Sequence, residues 1–588
     1  MKFFSYSTNL DYLISLVFSI LLLNLMFLIG RGIIYKILKI EMNDKISLGI
    51  LNIFIGYFII SLLTQYLLVF DKYYIIKPIF YISSISSIIF LNHFKLFFLN
   101  IWSAVMENSF ISILTILLFF IICFSPINDA DSLGYHLFIP QQIIENKGLI
   151  YRYDNFQFGF FGIGESFILI SQLLKTEIII HWLQFISLIF IYHSIIGINN
   201  LKKNKLSSAI IFSIPCLIFL VFSAKPQIII ISLSVFIFKE IIEKKSINVL
   251  HVLLIVFLFS VKTNYLVSSL ILSILIIYNY KNHFKKVIYF LSLGLLFFTV
   301  IYFPLITYKL NYGFNLDLNF FKPVPDFIIG SQDFYKFIIN YRDTYDLFFP
   351  LNIFVTNSLG TYSTTLGLPI LFSIGFFLRK KNLISHWFYY LGIFIYILII
   401  TLFLQSTARF YLEPLFWFLV LNKENFINMK FNLLQKTIIN SFYSLQLMVL
   451  IYLSGISLWS FSSIENRKSI LSKTAFGYNL ADKVNSIVNE NKGILVDHRS
   501  KAFLNNKNIF GNTFVSYEWE RKEILKNIEV EKIDYMIVDN NSLNEYMKYS
   551  LYVSDGPFTY KEISRNPFNY GNYKSFWILK FDKKLTCL

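Results

Sequence analysis

Apolar runs long enough to cross a lipid bilayer follow one another along most of this chain. A span needs about 20 such residues, with shorter ones tolerated inside a bundle. About fourteen runs qualify, at 10–30, 47–70, 73–92, 107–125, 177–197, 206–223, 227–238, 248–261, 263–279, 287–308, 359–378, 384–404, 410–421 and 437–458. The expected fold class is therefore an all-α polytopic membrane bundle, residues 1–459. Composition agrees: 56% of the 588 residues are hydrophobic and 15% charged, against roughly 25% charged in a soluble domain. Aromatic residues reach 19% and sit inside the apolar runs, which excludes a disordered chain. The first run follows only Met1-Lys2 and a polar stub. It is too long for a signal sequence and shows no cleavage motif, so it is expected to stay as a helix.

Charge then sets the orientation. The net charge is +17, which in a soluble protein would point to nucleic acid. Here residues 460–588 hold 19 Lys+Arg against 15 Asp+Glu, so most of the excess lies in short loops between spans. That is a topology signal, and no nucleic-acid partner is expected. With the N-terminus outside, the inner connections 31–46, 93–106, 198–205, 239–247, 280–286, 379–383 and 422–436 carry 20 Lys+Arg in 74 residues. This density is more than twice that of the outer connections, as the positive-inside rule requires. Two long loops, 127–176 and 309–350, then face outward, as does the polar tail after Trp459. Cys123, Cys216 and Cys587 are too few for a disulfide framework.

The tail, 460–588, reads as a small extracytoplasmic α/β domain. Strand-like segments lie at Gly493–His498, Ile533–Asp539 and Ser575–Phe581, with a helical stretch near 473–490. It has no Gly-rich phosphate loop, and its expected role is structural or acceptor-positioning. No internal repeat of the kind that marks inverted-repeat transporters is visible.

The first outer loop opens with Asn128-Asp-Ala-Asp-Ser-Leu-Gly-Tyr-His-Leu137. An acidic pair directly after an apolar helix marks a candidate site, because charge at a membrane boundary is costly unless water or a partner meets it. Such a carboxylate suits base catalysis, taking the proton of an acceptor hydroxyl as it attacks a sugar carbon. The alternative for Asp129 and Asp131 is capping of the following helix. Lys225 and Lys262 interrupt apolar sequence at predicted outer turns, and Arg409 adds a planar fork suited to phosphate oxygens. The alternatives are snorkelling lysines and, for Arg409, an ion pair with Glu413 at i+4. Asp317, Asp326, Asp333, Asp343 and Asp346 in the second loop are candidates for an acceptor groove, or for solvated charges.

Asp131-Ser-Leu-Gly-Tyr-His-Leu137, with Gly162-Ile-Gly-Glu165 downstream and Ala408-Arg-Phe-Tyr-Leu-Glu-Pro414 later, resembles elements of the GT-C class of polytopic glycosyltransferases. The likeness is to the bacterial protein-mannosyltransferase and aminoarabinose-transferase groups (glycosyltransferase family 39-like). It implies an acid of the first outer loop as catalytic base, here Asp131 with Asp129 competing, and Glu165 as a second acid. Tyr135, His136 and Tyr411 would shape the pocket, and the donor would be a sugar on a polyprenyl phosphate held by Lys225, Lys262 and Arg409. The chain departs from the commoner pattern in Phe138-Ile-Pro140 after Tyr-His-Leu and in four spans before the loop. The expected function is sugar transfer to a glycolipid, polysaccharide or protein at the outer face of a bacterial inner membrane, among membrane lipids. A divalent cation is chemically compatible with the acids, but no spacing requires a metal. The rivals are a flippase of lipid-linked oligosaccharide, which would place charge at mid-membrane and show two related halves, and an outer-face polysaccharide polymerase or ligase, in which basic loop residues would dominate.

Overall fold

Inside a bilayer the backbone has no water to bond, so apolar spans close their hydrogen bonds within themselves as helices. The fold, a computed structural model, follows that rule. It describes residues 8–106, 109–151, 156–197, 205–243, 247–262, 265–313, 349–355, 364–371, 386–403, 407–428, 431–475, 477–496, 501–510, 533–539, 543, 551–561 and 573–581. The helices up to the first loop are α1 (Asn9–Arg31), α2 (Lys45–Val69), α3 (Tyr73–Ser86), α4 (Leu91–Met106) and α5 (Phe110–Ile122). Then come α6 (Phe138–Asn146), α7 (Ile163–Leu173), α8 (Glu177–Ile195), α9 (Lys205–Phe212), α10 (Pro215–Val221), α11 (Gln227–Ile242), α12 (Val249–Val261), α13 (Leu266–Asn279) and α14 (Phe284–Asn311). The series closes with α15 (Leu351–Phe354), α16 (Trp387–Phe403), α17 (Ala408–Leu421), α18 (Lys423–Ile427), α19 (Leu433–Ser462), α20 (Ile464–Thr474) and α21 (Tyr478–Ile487).

Among the described residues, six helical stretches, Asn9–Ile37, Lys45–Val69, Tyr73–Met106, Glu177–Ile195, Phe284–Asn311 and Leu433–Ser462, are long and apolar enough to cross a membrane. Five shorter helices, α5, α7, α12, α13 and α16, are apolar as well. The chain is a multi-pass membrane protein. Helices α2, α8 and α11 form the buried middle, whereas α14 and α19 turn Leu291, Leu295, Met448 and Ile451 outward, as helices facing lipid do. Helix α1 packs so tightly along α2 that a Cβ on Gly56 would lie 1.9 Å from the Met26 carbonyl oxygen.

Two expectations change in form. The connection expected at 93–106 is helix α4, because Phe97 stacks on Phe27 at 5.2 Å and on the face opened by Gly49, giving the segment an apolar side to bury. The run at 206–223 is two helices, since Pro215 lacks an N–H and starts α10 afresh; the next amide, Cys216 N–H, donates instead to Thr365 O at 3.0 Å. The span expected at 359–378 falls mostly outside the described residues, and Asp317, Asp326, Asp333, Asp343 and Asp346 lie wholly outside them.

Past α19 the chain forms α20, α21 and a five-stranded sheet: β1 (Ile494–Val496), β2 (Ile509–Phe510), β3 (Tyr535–Asp539), β4 (Leu551–Lys561) and β5 (Tyr573–Phe581). The order is β2-β1-β3-β5-β4. Strand β1 runs parallel to β2 and β3, and β5 is antiparallel to β3 and β4. The expected helix near 473–490 is split between α20 and α21, where Gly477 takes a φ of 72°.

Candidate functional site

Several helix ends meet at one end of the bundle. Helices α11 and α17 begin there, and α12 finishes there at Lys262. At the other end Asn279 Nδ2 donates to Ile241 O at 3.1 Å and Tyr389 OH donates to Asn279 Oδ1 at 2.7 Å, closing α13, α11 and α16 together. Lys225 occupies the turn before α11, and its ammonium donates to Asp131 Oδ2 at 2.6 Å. Arg409, second residue of α17, brings Nη1 to 3.7 Å from the same oxygen. Lys225 also lies 4.0 Å from Asp129 Oδ1. The lysine side chain is 3% exposed, Asp131 21% and Arg409 20%, so a buried ammonium meets a carboxylate that still reaches solvent. Burial pushes the Lys225 ammonium below its usual range, against the opposing pull of Asp131.

Local bonds fix this arrangement. Ser132 Oγ accepts from Ala224 N–H at 2.9 Å, tying the acidic turn to the residue before Lys225. Gln184 Nε2 of α8 donates to Lys225 O at 2.8 Å, and Gln227 Nε2 donates to Arg409 O at 3.3 Å. Asp129 Oδ1 accepts from Ser132 N–H at 3.0 Å, the capping role open to it from the sequence, and the π-helical turn Ser132–His136 follows. The N-terminal ends of α11 and α17 add their dipoles to the positive side chains, and such ends favour anions.

A second acid stands beside the first. Glu165, in the first turn of α7, accepts from Gly162 N–H at 3.0 Å through Oε2, and its Oε1 lies 2.7 Å from His136 Nδ1. Burial pushes the imidazole down, against the pull of Glu165. A neutral ring facing an acceptor-only carboxylate donates from Nδ1, which leaves Nε2 as an acceptor. Glycine is required next to it: a Cβ on Gly164 would lie 2.7 Å from Pro226 Cγ. Lys262 follows α12 directly. Its ammonium is pushed down to about 8, first by burial and then by Arg409 and Lys225.

The model of the DUF1420 N-terminal domain matches residues 11–470. The chain belongs to the DUF1420 family. Solved structures similar to it include two of one protein. The crystal structure of ArnT from Cupriavidus metallidurans in the apo state has a TM-score of 0.44 at 8% identity, over 79% of this chain and 96% of that one. ArnT from the same organism bound to undecaprenyl phosphate has a TM-score of 0.45 at 9% identity, with the same coverage. No curated protein sequence matches the chain.

Every site residue singled out in the sequence lies within the DUF1420 match. The structure brings Asp129, Asp131, Lys225 and Arg409 into one cluster, with Glu165 and His136 paired beside it. Tyr135 packs on the His136 ring at 4.1 Å. Tyr411 turns toward α16, its hydroxyl 3.0 Å from Thr401 Oγ1. Glu413, the rival partner of Arg409, is buried and accepts from Tyr396 OH at 2.6 Å. Sequence reasoning missed Ser132 and Gln227, whose only signal is a polar side chain near a candidate charge, and Gln184, a lone polar residue in an apolar run. Among the described residues, no group of three or more His, Cys, Asp or Glu side chains forms a metal site.

Proposed function

We propose that this DUF1420 protein is a membrane glycosyltransferase of GT-C type, moving a sugar from a polyprenyl phosphate to an acceptor hydroxyl at the outer face of a bacterial inner membrane. The observation that carries the reading is the shared oxygen: Asp131 Oδ2 is held at 2.6 Å by Lys225 and at 3.7 Å by Arg409, where two helices begin. A carboxylate gripped by two cations is a poor base. The incoming phosphate is the stronger competitor for them, since a guanidinium fork and an ammonium both suit its oxygens. Once it takes Lys225 and Arg409, with Lys262 beside them, Asp131 regains its basicity. It then removes the acceptor hydroxyl proton while that oxygen bonds to the anomeric carbon. The bond from that carbon to the phosphate oxygen breaks, its electron pair leaves with the polyprenyl phosphate, and the sugar centre inverts. Asp129, occupied as a cap at Ser132 N–H, holds the turn. The apolar bundle offers the lipid tail a place within the bilayer.

Asp131→Asn separates binding from chemistry. Transfer is expected to fall by roughly 10²–10⁴-fold, the usual worth of a positioned base. The same variant leaves the buried Lys225 with only the more distant Asp129 carboxylate, 4.0 Å away, so undecaprenyl phosphate becomes its best counterion. Added lipid phosphate should therefore raise the melting temperature of Asp131→Asn more than that of the parent. Unchanged transfer, or a smaller thermal shift than the parent shows, contradicts the assignment.

A further inference from the structure

The same end of the bundle holds a buried ion pair that the reaction above does not use. Glu177, first residue of α8, receives the guanidinium of Arg467 on Oε2. Arg467 belongs to α20, immediately after the last span. The two side chains are 3% and 8% exposed, so each compensates the other's loss of solvent, and removing one leaves an uncompensated buried charge. The other Glu177 oxygen accepts from Ile127 N–H at 3.0 Å, two residues before Asp129. Tyr12 of α1 lies under the guanidinium, 5.5 Å from its ring centroid. One residue further, Asn128 Nδ2 donates to Thr474 Oγ1 at 3.0 Å, at the end of α20. On the far side of the acidic turn, Gln141 Nε2 of α6 donates to Leu504 O at 3.1 Å, and the Lys501 ammonium lies 5.6 Å from the Phe138 ring centroid. The segment carrying Asp129, Asp131 and His136 is thus fastened to the C-terminal region on both flanks.

We propose that the C-terminal region is a clamp on the acidic loop, with Glu177 and Arg467 as positioning residues that set Asp131 against Lys225 and Arg409. The catalytic consequence rests on Asp131 being the base. The clamp itself is a property of the loop. A carboxylate displaced by about an ångström loses much of its effect on a reacting proton, so a tail that makes no chemistry still governs the rate.

Hydrogen–deuterium exchange on the full chain in lipid nanodiscs reads the clamp whatever reaction the site performs. Arg467→Gln and Glu177→Gln should each speed exchange across 127–137 by about tenfold, with the peptides of α2 unchanged. The double variant should exchange more slowly than either single one, because no lone charge stays buried. Arg467→Lys should restore most of the protection. Thr474→Val removes the acceptor of Asn128, together with the Thr474 hydroxyl's own bond to Ile470 O inside α20, and should give a smaller rise, a reading that survives if Arg467→Gln does not fold. Unaltered protection at 127–137 in Thr474→Val and in whichever of the Gln variants folds overturns the clamp. Where the loop loosens, kcat for transfer should fall about tenfold with little change in the donor KM. A loosened loop with undiminished kcat refutes the positioning role. A loosened loop in a protein whose parent transfers no sugar refutes the reaction and leaves the clamp standing.

Discussion

Lys262 carries a pH signature that sets it apart from Arg409. Its ammonium titrates near 8, because burial and two neighbouring cations disfavour the charge. On the proposed function only the protonated form attracts phosphate, so its contribution to donor binding would be present below about 8 and fade as pH rises through that value. A bound phosphate favours the charged form, so binding takes up a proton and the decline moves to higher pH in the complex. Arginine keeps its charge throughout. Titrating undecaprenyl phosphate affinity from about pH 6 to 9.5 should therefore show the parent losing about one proton's worth of dependence that Lys262→Arg lacks. The comparison cancels the titration of the lipid phosphate, which both proteins share. Superimposable profiles above pH 8 would remove Lys262 from the phosphate site. The residue was legible in the sequence because a lone lysine in an apolar run must have a reason to stay charged.

Between elements, the approach of α7 to the turn before α11 is what brings Glu165 to the Lys225 side of the site. Gly164 makes that approach possible, for its missing Cβ would stand 2.7 Å from Pro226 Cγ and a proline ring cannot swing aside. Gly164→Ala should therefore separate the two elements, lowering stability by about 1–3 kcal/mol and weakening phosphate-lipid binding with it. Gly294→Ala is the control: its Cβ would meet nothing nearer than Val252 at 3.7 Å. Thermal melts in one detergent compare them, and equal melting temperatures for both variants count against the packing argument. Apolar length predicts the long spans, but it does not reveal that α4 continues past the expected end of its run, or that Pro215 divides another. The first depends on Phe97 finding Phe27, the second on an amide finding Thr365. Strands β1, β3 and β5 show in their β-branched and aromatic runs, whereas β2 has only two residues and β4 contains Gly556-Pro557. The partners Glu177 and Arg467 stand 290 residues apart. Alone, the first reads as a helix-start acid and the second as a solvated charge, so the pairing has no local signature.

For the molecule as a whole, the contacts between the acidic loop and the C-terminal region restrict topology more tightly than charge counting does. Asn128 bonds Thr474 and Gln141 bonds Leu504, so loop and tail must lie on one side of the membrane. Lys281 follows α13, which runs away from the site, and so belongs to the other side. On the proposed orientation, that other side, where Lys and Arg are denser along the sequence, is the cytoplasm. Single cysteines test both statements in a Cys587→Ser background, since Cys123 and Cys216 are buried. Asn146, Ser486 and Lys281 are exposed and suit replacement. With a membrane-impermeant maleimide on intact cells, Asn146→Cys and Ser486→Cys should label, and Lys281→Cys should label only after permeabilisation. Labelling of all three positions reversed would keep the fold and put the site on the cytoplasmic face, where a carboxylate–cation cluster would meet cytoplasmic donors. Labelling of Asn146→Cys and Ser486→Cys from opposite sides is incompatible with the packing of α20 on the loop, and with any reaction that needs the two together.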